Sequence, residues 1–258
     1  MKKKRIGCLP VLMIFSLIVI IAIGFIYYKD GKTYSDLETE VTYQKKEKKK
    51  SKGDDGYRVN WKKLKNKDVV GWIRFKHPKI ISYPIMQKDD NDFYLHKNIK
   101  KEYSFAGSIF MDYHNHKNFL DSNTLIYGHN MGSGAMFGTL ARYKNSGFYQ
   151  TEGNDVFYIY TEDVIREYKI FTVYITDPIS DTFTFNFSNL SGLREYAKNV
   201  QAESLYNTGV DISNATQVVT FSTCTDDSKQ RVIVSGTYVG ESKLDNGTSS
   251  EASASASE

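Results

Sequence analysis

Cys224 has the surroundings of a nucleophile rather than of a structural cysteine. The chain contains two cysteines, and the other, Cys8, belongs to an apolar N-terminal run. A disulfide between them would press the fold onto that run, so we expect a free thiol at Cys224. It follows the β-rich run 217–220, among serine, threonine and aspartate. A thiol at a strand end can act as a nucleophile, and a buried core cysteine is the alternative.

Two further residues that could assist a thiol also stand at predicted strand ends. The β-rich run 124–127 is followed by Gly-His-Asn, which places His129 at the start of a glycine-containing loop. Arg231 follows Cys224 after a short polar stretch that suits a hairpin loop. A histidine can carry the proton of a cysteine nucleophile, and an arginine can stabilise an oxyanion or hold a substrate strand. An ordinary surface role is the alternative for either residue taken alone.

The other histidines do not form a convincing metal site. His114 and His116 have H-x-H spacing, but no cysteine, third histidine or well-placed carboxylate near them in sequence completes a zinc site. His77 and His96 have the polar or turn-like neighbours of solvent-facing residues. No acidic cluster suits calcium, and no basic motif resembles a nucleic-acid reader. We therefore expect no metal, no cofactor and no nucleic-acid partner.

The first thirty residues predict an uncleaved membrane anchor. Residues 1–5 are basic, and the run 6–28 contains no charged residue, whereas a helix needs about 20 apolar residues to span a bilayer. The basic cluster favours a cytoplasmic N-terminus, and no small-residue cleavage site follows the run. We expect a lysine-rich flexible stalk over 29–56, an extracellular domain over 57–240 and a disordered tail over 241–258.

The domain has the pattern of a mainly β fold. Eight short runs rich in β-branched and aromatic residues are bounded by turn residues, and they predict strands at 70–75, 80–85, 107–111, 124–127, 156–161, 168–175, 217–222 and 231–239. Helices are expected at 59–68, 135–144 and 190–204. Eight strands with few helices favour a closed or nearly closed barrel decorated by helices.

Taken together, these segments resemble the sortase family. Thr-Leu-Ile-Tyr-Gly-His-Asn at 124–130, Phe-Ser-Thr-Cys at 221–224 and the arginine that follows look like its three signature elements. The resemblance is to class B sortases in particular. It extends, in the expected order, over the segments 70–73, 81–85, 91–95, 106–112 and 136–140. Two departures concern substrate fine-tuning. The connection from Cys224 to Arg231 is short for the class, and Thr225 stands where an acidic or aromatic residue is frequent.

The resemblance implies a membrane-anchored cysteine transpeptidase of the bacterial cell surface, with a closed eight-stranded barrel. Cys224 would be the nucleophile, His129 the proton carrier and Arg231 the oxyanion-stabilising partner. The substrates would be exported proteins with a C-terminal sorting motif, cut between Thr and Gly or Asn. The acceptor would be an amine of a peptidoglycan precursor or a pilin lysine. We expect a motif beginning Asn-Pro.

Four more residues are candidates for the surroundings of the site. Ser222 could bond the substrate or the catalytic groups, although a strand-end hydroxyl bonding backbone is an equal alternative. Tyr127 and Met131 are expected to be pocket walls next to His129. Asp112 could orient the neighbouring histidine at 114 or a substrate amide.

Three other functions remain open from the sequence. A pilin-polymerising sortase fits the same motifs. A cell-wall cysteine endopeptidase is disfavoured because its cysteine usually opens a helix and precedes the histidine in the chain. A non-catalytic, membrane-tethered surface module predicts that Cys224→Ala changes nothing on the cell surface.

Overall fold

A computed structural model describes residues 8–45, 55–75 and 81–244 of the chain. Its α-helices are α1 (Cys8–Val41), α2 (Ser146–Tyr149) and α3 (Leu190–Ala202). Its strands are β1 (Thr42–Gln44), β2 (Tyr57–Val59), β3 (Val69–Phe75), β4 (Ser82–Met86), β5 (Ile109–Met111), β6 (Asn123–Tyr127), β7 (Val156–Tyr160), β8 (Val164–Thr176), β9 (Val218–Cys224) and β10 (Arg231–Lys243). Short 3-10 turns lie at Trp61–Lys63, Phe93–Leu95, Leu140–Lys144 and Asp181–Phe183.

Strands β3 to β10 form a closed barrel in the order β10-β8-β7-β3-β4-β5-β6-β9. Most neighbours are antiparallel, but β4 with β5 and β6 with β9 are parallel pairs. The expected closed eight-stranded barrel is thus confirmed. The two long strands, β8 and β10, pair over their whole length with two bulges in the register.

Aromatic side chains fill the interior of the barrel. Phe221 of β9 has its ring 4.6 Å from that of Phe157, 5.6 Å from Phe137 and 5.9 Å from Phe75, and all four are buried. The glycine at 236 in β10 leaves room for this packing, because a Cβ there would collide with the Phe157 ring. Side chains alternate between the two faces of a strand, so residues next to Phe221 in sequence point out of the barrel.

Helix α3 covers part of the outer face. Its buried residues Leu193 and Ala197 belong to a cluster that also contains Val218 of β9 and Ile233 of β10. The helix predicted over 190–204 is therefore present, and it supports the outer side of the β9–β10 hairpin.

Helix α1 is longer than expected. Among the described residues, one helix is long and apolar enough to cross a membrane, and it continues without a break to Val41. A flexible stalk was expected from residue 29, but Tyr34 and Val41 are buried against the barrel and β1 pairs with β2. These apolar contacts were not predicted because the lysine-rich composition of the segment is typical of a flexible linker. Residues 46–54 of that segment lie outside the described residues.

Two predicted helices are reduced to short turns. The segment 59–68 contains the end of β2 and a single 3-10 turn, because its Val59 pairs with Thr42 of β1. The segment 135–144 is helical only over the 3-10 turn Leu140–Lys144, and Met136 at its start has a left-handed backbone, with φ of 52°.

Candidate active site

The parallel pairing of β6 with β9 brings the histidine segment to the cysteine segment. The last register pair is Tyr127 with Ser222, and Gly128 N–H donates to the Ser222 carbonyl at 3.3 Å. The Thr223 hydroxyl donates back to the Gly128 carbonyl at 2.8 Å. Continuing this register by two residues places His129 beside Cys224.

The residue after the histidine closes the same junction. The Asn130 side-chain amide donates to the Cys224 carbonyl at 3.0 Å and to the Asp226 carboxylate at 3.1 Å. Its backbone forms an isolated bridge with Met136 across the loop. The backbone on both sides of His129 is therefore bonded, directly or through this amide, to the segment that ends in Cys224.

Cys224 and Arg231 face each other across the β9–β10 hairpin as Cα partners. Side chains of directly opposed residues lie on the same face, and that face of β9 is the outer one, shared with Ser222. Cys224 is free and half-buried. The hairpin loop is closed by Thr225 N–H donating to the Gln230 carbonyl at 2.9 Å.

The Arg231 guanidinium is turned toward its own loop. Its Nη1 donates to the Gln230 carbonyl at 3.1 Å and lies 3.4 Å from the Ser228 carbonyl. These bonds to neutral carbonyls in a solvent-exposed loop are weak compared with bonds to an anion. The side chain can therefore exchange them for an oxyanion or a substrate carbonyl on the Cys224 side.

Two residues of the segment before β5 hold the His129 ring. Its Nε2 lies 2.8 Å from the Leu95 carbonyl, and the His96 ring stacks on it with centroids 5.7 Å apart. A carbonyl only accepts, so Nε2 carries a proton and the neutral ring has Nδ1 as its basic atom. Burial lowers the pKa of His129, and the nearby His96 lowers it further against the opposing effect of the Leu95 carbonyl.

Asp112 is linked to the Ser222 side of the site through Tyr127. It accepts hydrogen bonds from the Tyr127 hydroxyl at 2.8 Å, the Asn91 amide at 2.8 Å and the His114 backbone N–H at 3.0 Å. Burial alone would raise the pKa of Asp112, but these donors outweigh it and lower the pKa below its ordinary value. The carboxylate also lies 2.8 Å from His114 Nδ1, so it orients that histidine.

The remaining predicted positions divide between the site and the core. Ser222 is buried and shares the face of Cys224, and Tyr127 lies beside it in the register. The Tyr127 ring is 6.4 Å from that of Phe183. Met131 is instead buried in the core and lines a cavity of about 350 Å³ between α1 and the barrel.

His114 and His116 do not share a ligand. His114 pairs with Asp112, whereas His116 Nδ1 lies 2.6 Å from the Asp121 carboxylate. Within 8–45, 55–75 and 81–244, no group of three or more His, Cys, Asp or Glu residues could hold a metal ion.

A model of the sortase domain matches residues 78–239. The chain belongs to the sortase family. Sortase B of Listeria monocytogenes is 38% identical over 178 residues, covering 67% of this chain and 71% of the relative. A structure of sortase B from B. anthracis in complex with AAEK1 has a TM-score of 0.69 at 32% identity, covering 83% of this chain and 98% of that one. The Staphylococcus aureus sortase B–substrate complex has a TM-score of 0.61 at 28% identity, covering 67% and 81%.

Sortases are cysteine transpeptidases that anchor surface proteins, and this sortase is of the B type. Sortases act on proteins that carry a sorting motif. The predicted family, activity and fold are therefore confirmed.

Sequence reasoning missed three parts of the sortase site. Leu95 and His96 were not singled out because each contacts His129 across more than 30 positions of the chain, 34 for Leu95, and no local pattern signals such a contact. Asn130 stands next to the histidine in the motif, and this adjacency was the only available signal.

Proposed function

We propose that this sortase uses Cys224 as its nucleophile, His129 as its proton carrier and Arg231 as its oxyanion partner. The observation that carries the proposal is the position of β9 between β6 and β10. Strand β6, its parallel partner, ends two residues before His129. Strand β10, its antiparallel partner, begins at Arg231, opposite Cys224.

In the first step, Sγ of Cys224 attacks the carbonyl carbon of the scissile peptide. Nδ1 of His129 takes the thiol proton, or already holds it in an ion pair with the thiolate. The carbonyl oxygen becomes negative, and Arg231 donates to it. The C–N bond then breaks, and the imidazolium gives its proton to the departing amine. The product is a thioacyl-enzyme.

In the second step, an incoming amine attacks the thioester carbonyl. A new C–N bond forms and the Sγ–C bond breaks. The proton lost by the amine returns to the sulfur of Cys224 through His129, so the enzyme is restored without a net change in redox state. Water in place of the amine would give hydrolysis.

We propose that the substrate is an exported protein with a C-terminal sorting motif beginning Asn-Pro, cut after Thr. The acceptor is an amine on a peptidoglycan precursor. The half-buried thiol on the outer face of the barrel supports a substrate that lies along that face as an extended strand. Ser222 and Tyr127 line this face.

We also propose that the apolar part of α1 crosses the cytoplasmic membrane with residues 1–5 inside and 57–240 outside. The basic residues before the apolar run support this orientation. Protease added to intact protoplasts should then release the domain over 57–240. Full protection would contradict the orientation.

Product analysis tests the transferase directly. The full-length enzyme is mixed with a library of sorting-motif peptides and an oligoglycine amine, and the products are identified by mass spectrometry. We expect ligated peptide whose yield rises with amine concentration, and no product with Cys224→Ala. Hydrolysis that is unaffected by the amine would contradict transpeptidation.

A further inference from the structure

Tyr34 of α1 reaches into the turn that enters β5. Its side chain is 4% exposed, and its hydroxyl donates to the Gly107 carbonyl at 3.0 Å and lies 2.7 Å from the Ser108 hydroxyl. One helical turn earlier, the Asp30 carboxylate accepts from Ala106 N–H at 3.3 Å. The two α1 side chains lie on one face of the helix because they are four residues apart. That face therefore holds the turn in place.

The same turn lies behind the carbonyl that bonds His129. Gly107 has φ of 59° and approaches the Leu95 carbonyl so closely that a Cβ on it would collide. The residue after it donates its N–H to the Tyr94 carbonyl at 3.0 Å. The Leu95 carbonyl in turn lies 2.8 Å from Nε2 of His129. Tyr34 is thus connected to the imidazole through two backbone segments that pack on each other.

A second contact of Tyr34 leads to the loop that follows His129. The Tyr34 ring meets that of Tyr83 in β4 edge to face, with centroids 5.6 Å apart. The Tyr83 hydroxyl accepts from Met136 N–H at 3.2 Å, and Met136 forms the isolated bridge with Asn130. The left-handed backbone of Met136, with φ of 52°, is one that residues other than glycine rarely adopt. The bond to Tyr83 therefore stabilises a loop conformation that the sequence does not favour by itself.

We propose that Tyr34 is a positioning residue for His129. It supports the imidazole from two sides, through the turn behind the Leu95 carbonyl and through the loop that contains Met136. Helix α1 is therefore a working part of the active site as well as an anchor. The inference rests on the proposed role of His129 as proton carrier. A displacement of about 1 Å at a catalytic group can cost about 10²-fold in rate, so a distant support of this kind affects turnover.

The hydroxyl of Tyr34 acts on the tautomer of His129. The Leu95 carbonyl accepts from Nε2–H and so leaves Nδ1 as the basic atom of the neutral ring. Without the Tyr34 hydroxyl, the turn that carries Gly107 loses a hydrogen bond and the Leu95 carbonyl can move away from Nε2. The tautomer with its proton on Nδ1 then gains population. That tautomer cannot accept the thiol proton at Nδ1.

Nitrogen NMR of the full-length protein in detergent micelles tests the proposal without turnover. Histidine is labelled with ¹⁵N, and the His129 signals are assigned by their loss in His129→Gln. Tyr34→Phe keeps the ring against Tyr83 and removes only the hydroxyl. We expect its spectrum, at a pH where the imidazole is neutral, to show more of the Nδ1–H tautomer. In peptide ligation, kcat should fall about tenfold while KM stays the same, because the support acts on chemistry and not on binding.

Tyr149→Phe is the matched control. Tyr149 of α2 is also buried, and its hydroxyl donates to the backbone carbonyls of Ile170 and Thr208 at 3.2 and 3.3 Å. Its loss should destabilise the fold by an amount similar to that in Tyr34→Phe, as urea titration measures. It should leave the His129 spectrum and kcat unchanged.

The outcomes separate positioning from stability. An unchanged kcat in Tyr34→Phe would overturn the inference whatever the spectrum shows. A loss of kcat without a change of tautomer, equal to that in Tyr149→Phe, would assign Tyr34 to stability alone and overturn it as well. The proposed function has its own failure: a His129→Gln variant that ligates like wild type would remove His129 from the mechanism, and that result does not involve Tyr34.

Discussion

The His129 imidazole is held by two neighbours that act on it differently. The Leu95 carbonyl fixes the proton on Nε2, whereas the His96 ring covers the imidazole and adds a like charge when protonated. Burial is the largest cause of the lowered pKa of His129. The ring is therefore neutral at a lower pH than a free histidine.

Removing the covering ring should raise the pKa of His129. His96→Ala exposes the imidazole to water and removes the like charge, and both changes favour the protonated form. An NMR titration of the His129 ring should show its midpoint moving up toward the ordinary value near 6.5. His116→Ala, which removes an exposed histidine bound to Asp121, is the control and should not move it. An unchanged midpoint in His96→Ala would contradict the account.

The arginine opposite the nucleophile should act on turnover rather than on folding. Arg231→Ala removes the proposed oxyanion donor, and loss of one such donor typically costs about 10²–10³ in kcat. Arg231→Lys should recover only part of it, because an ammonium lacks the planar fork. Steady-state kinetics measure both. Lys229→Ala, in the same loop, is the control, and an equal loss there would show that the loop, not the guanidinium, matters.

At the residue scale, the reacting groups were accessible to sequence reasoning and their supports were not. Cys224 could be singled out by cysteine count and compartment, and His129 by its motif. The Leu95 carbonyl has no side-chain signature, because any residue supplies a carbonyl. His96 is exposed as expected, yet its stacking with His129 depends on how two distant loops meet.

Among the elements, the turn into β5 packs against the Leu95 carbonyl, which holds His129. Gly107 has φ of 59°, and a Cβ on it would collide with the Leu95 and Tyr94 carbonyl oxygens. Gly107→Ala should therefore displace the Leu95 carbonyl, shift the His129 ring resonances and lower kcat/KM. The left-handed backbone adds its own cost of about 1 kcal/mol.

Gly209 provides a matched control for that substitution. It also has a positive φ, of 70°, but a Cβ there meets nothing within 4 Å. Gly209→Ala should be destabilised only by its left-handed backbone, and it should leave the His129 resonances unchanged. Equal effects of the two variants on His129 would contradict a specific role of the turn into β5.

Elements whose own sequence has a clear β-strand pattern were predicted well. Elements that depend on pairing with a distant segment of the chain were not. The predicted strand over 217–222 extends to Cys224, and that over 231–239 to Lys243. By contrast, the helix expected over 59–68 gives way to β2 because β1 offers a pairing partner. No periodicity within the segment could reveal that partner.

On the scale of the whole molecule, the barrel is closed by the seam between β6 and β9, which also assembles the site. Phe221 lies at this seam and packs inside the barrel on three other phenylalanines. Phe221→Ala should lower the free energy of unfolding by about 3–5 kcal/mol. Urea titration followed by the fluorescence of the buried Trp72 measures it. Val239→Ala, on an exposed side chain, should change it by under about 0.5 kcal/mol, and a similar loss in both would contradict the packing argument.

The central claim is that Cys224 forms a thioacyl-enzyme, and the most direct test is the intact mass of the protein. The full-length enzyme is incubated with a sorting-motif peptide without an amine, quenched in acid and weighed by mass spectrometry. We expect an adduct of the peptide fragment up to its threonine on Cys224, which disappears when an amine is added and never forms on Cys224→Ala. An adduct that persists in Cys224→Ala, or cleavage by wild type that requires no such adduct, would contradict the account.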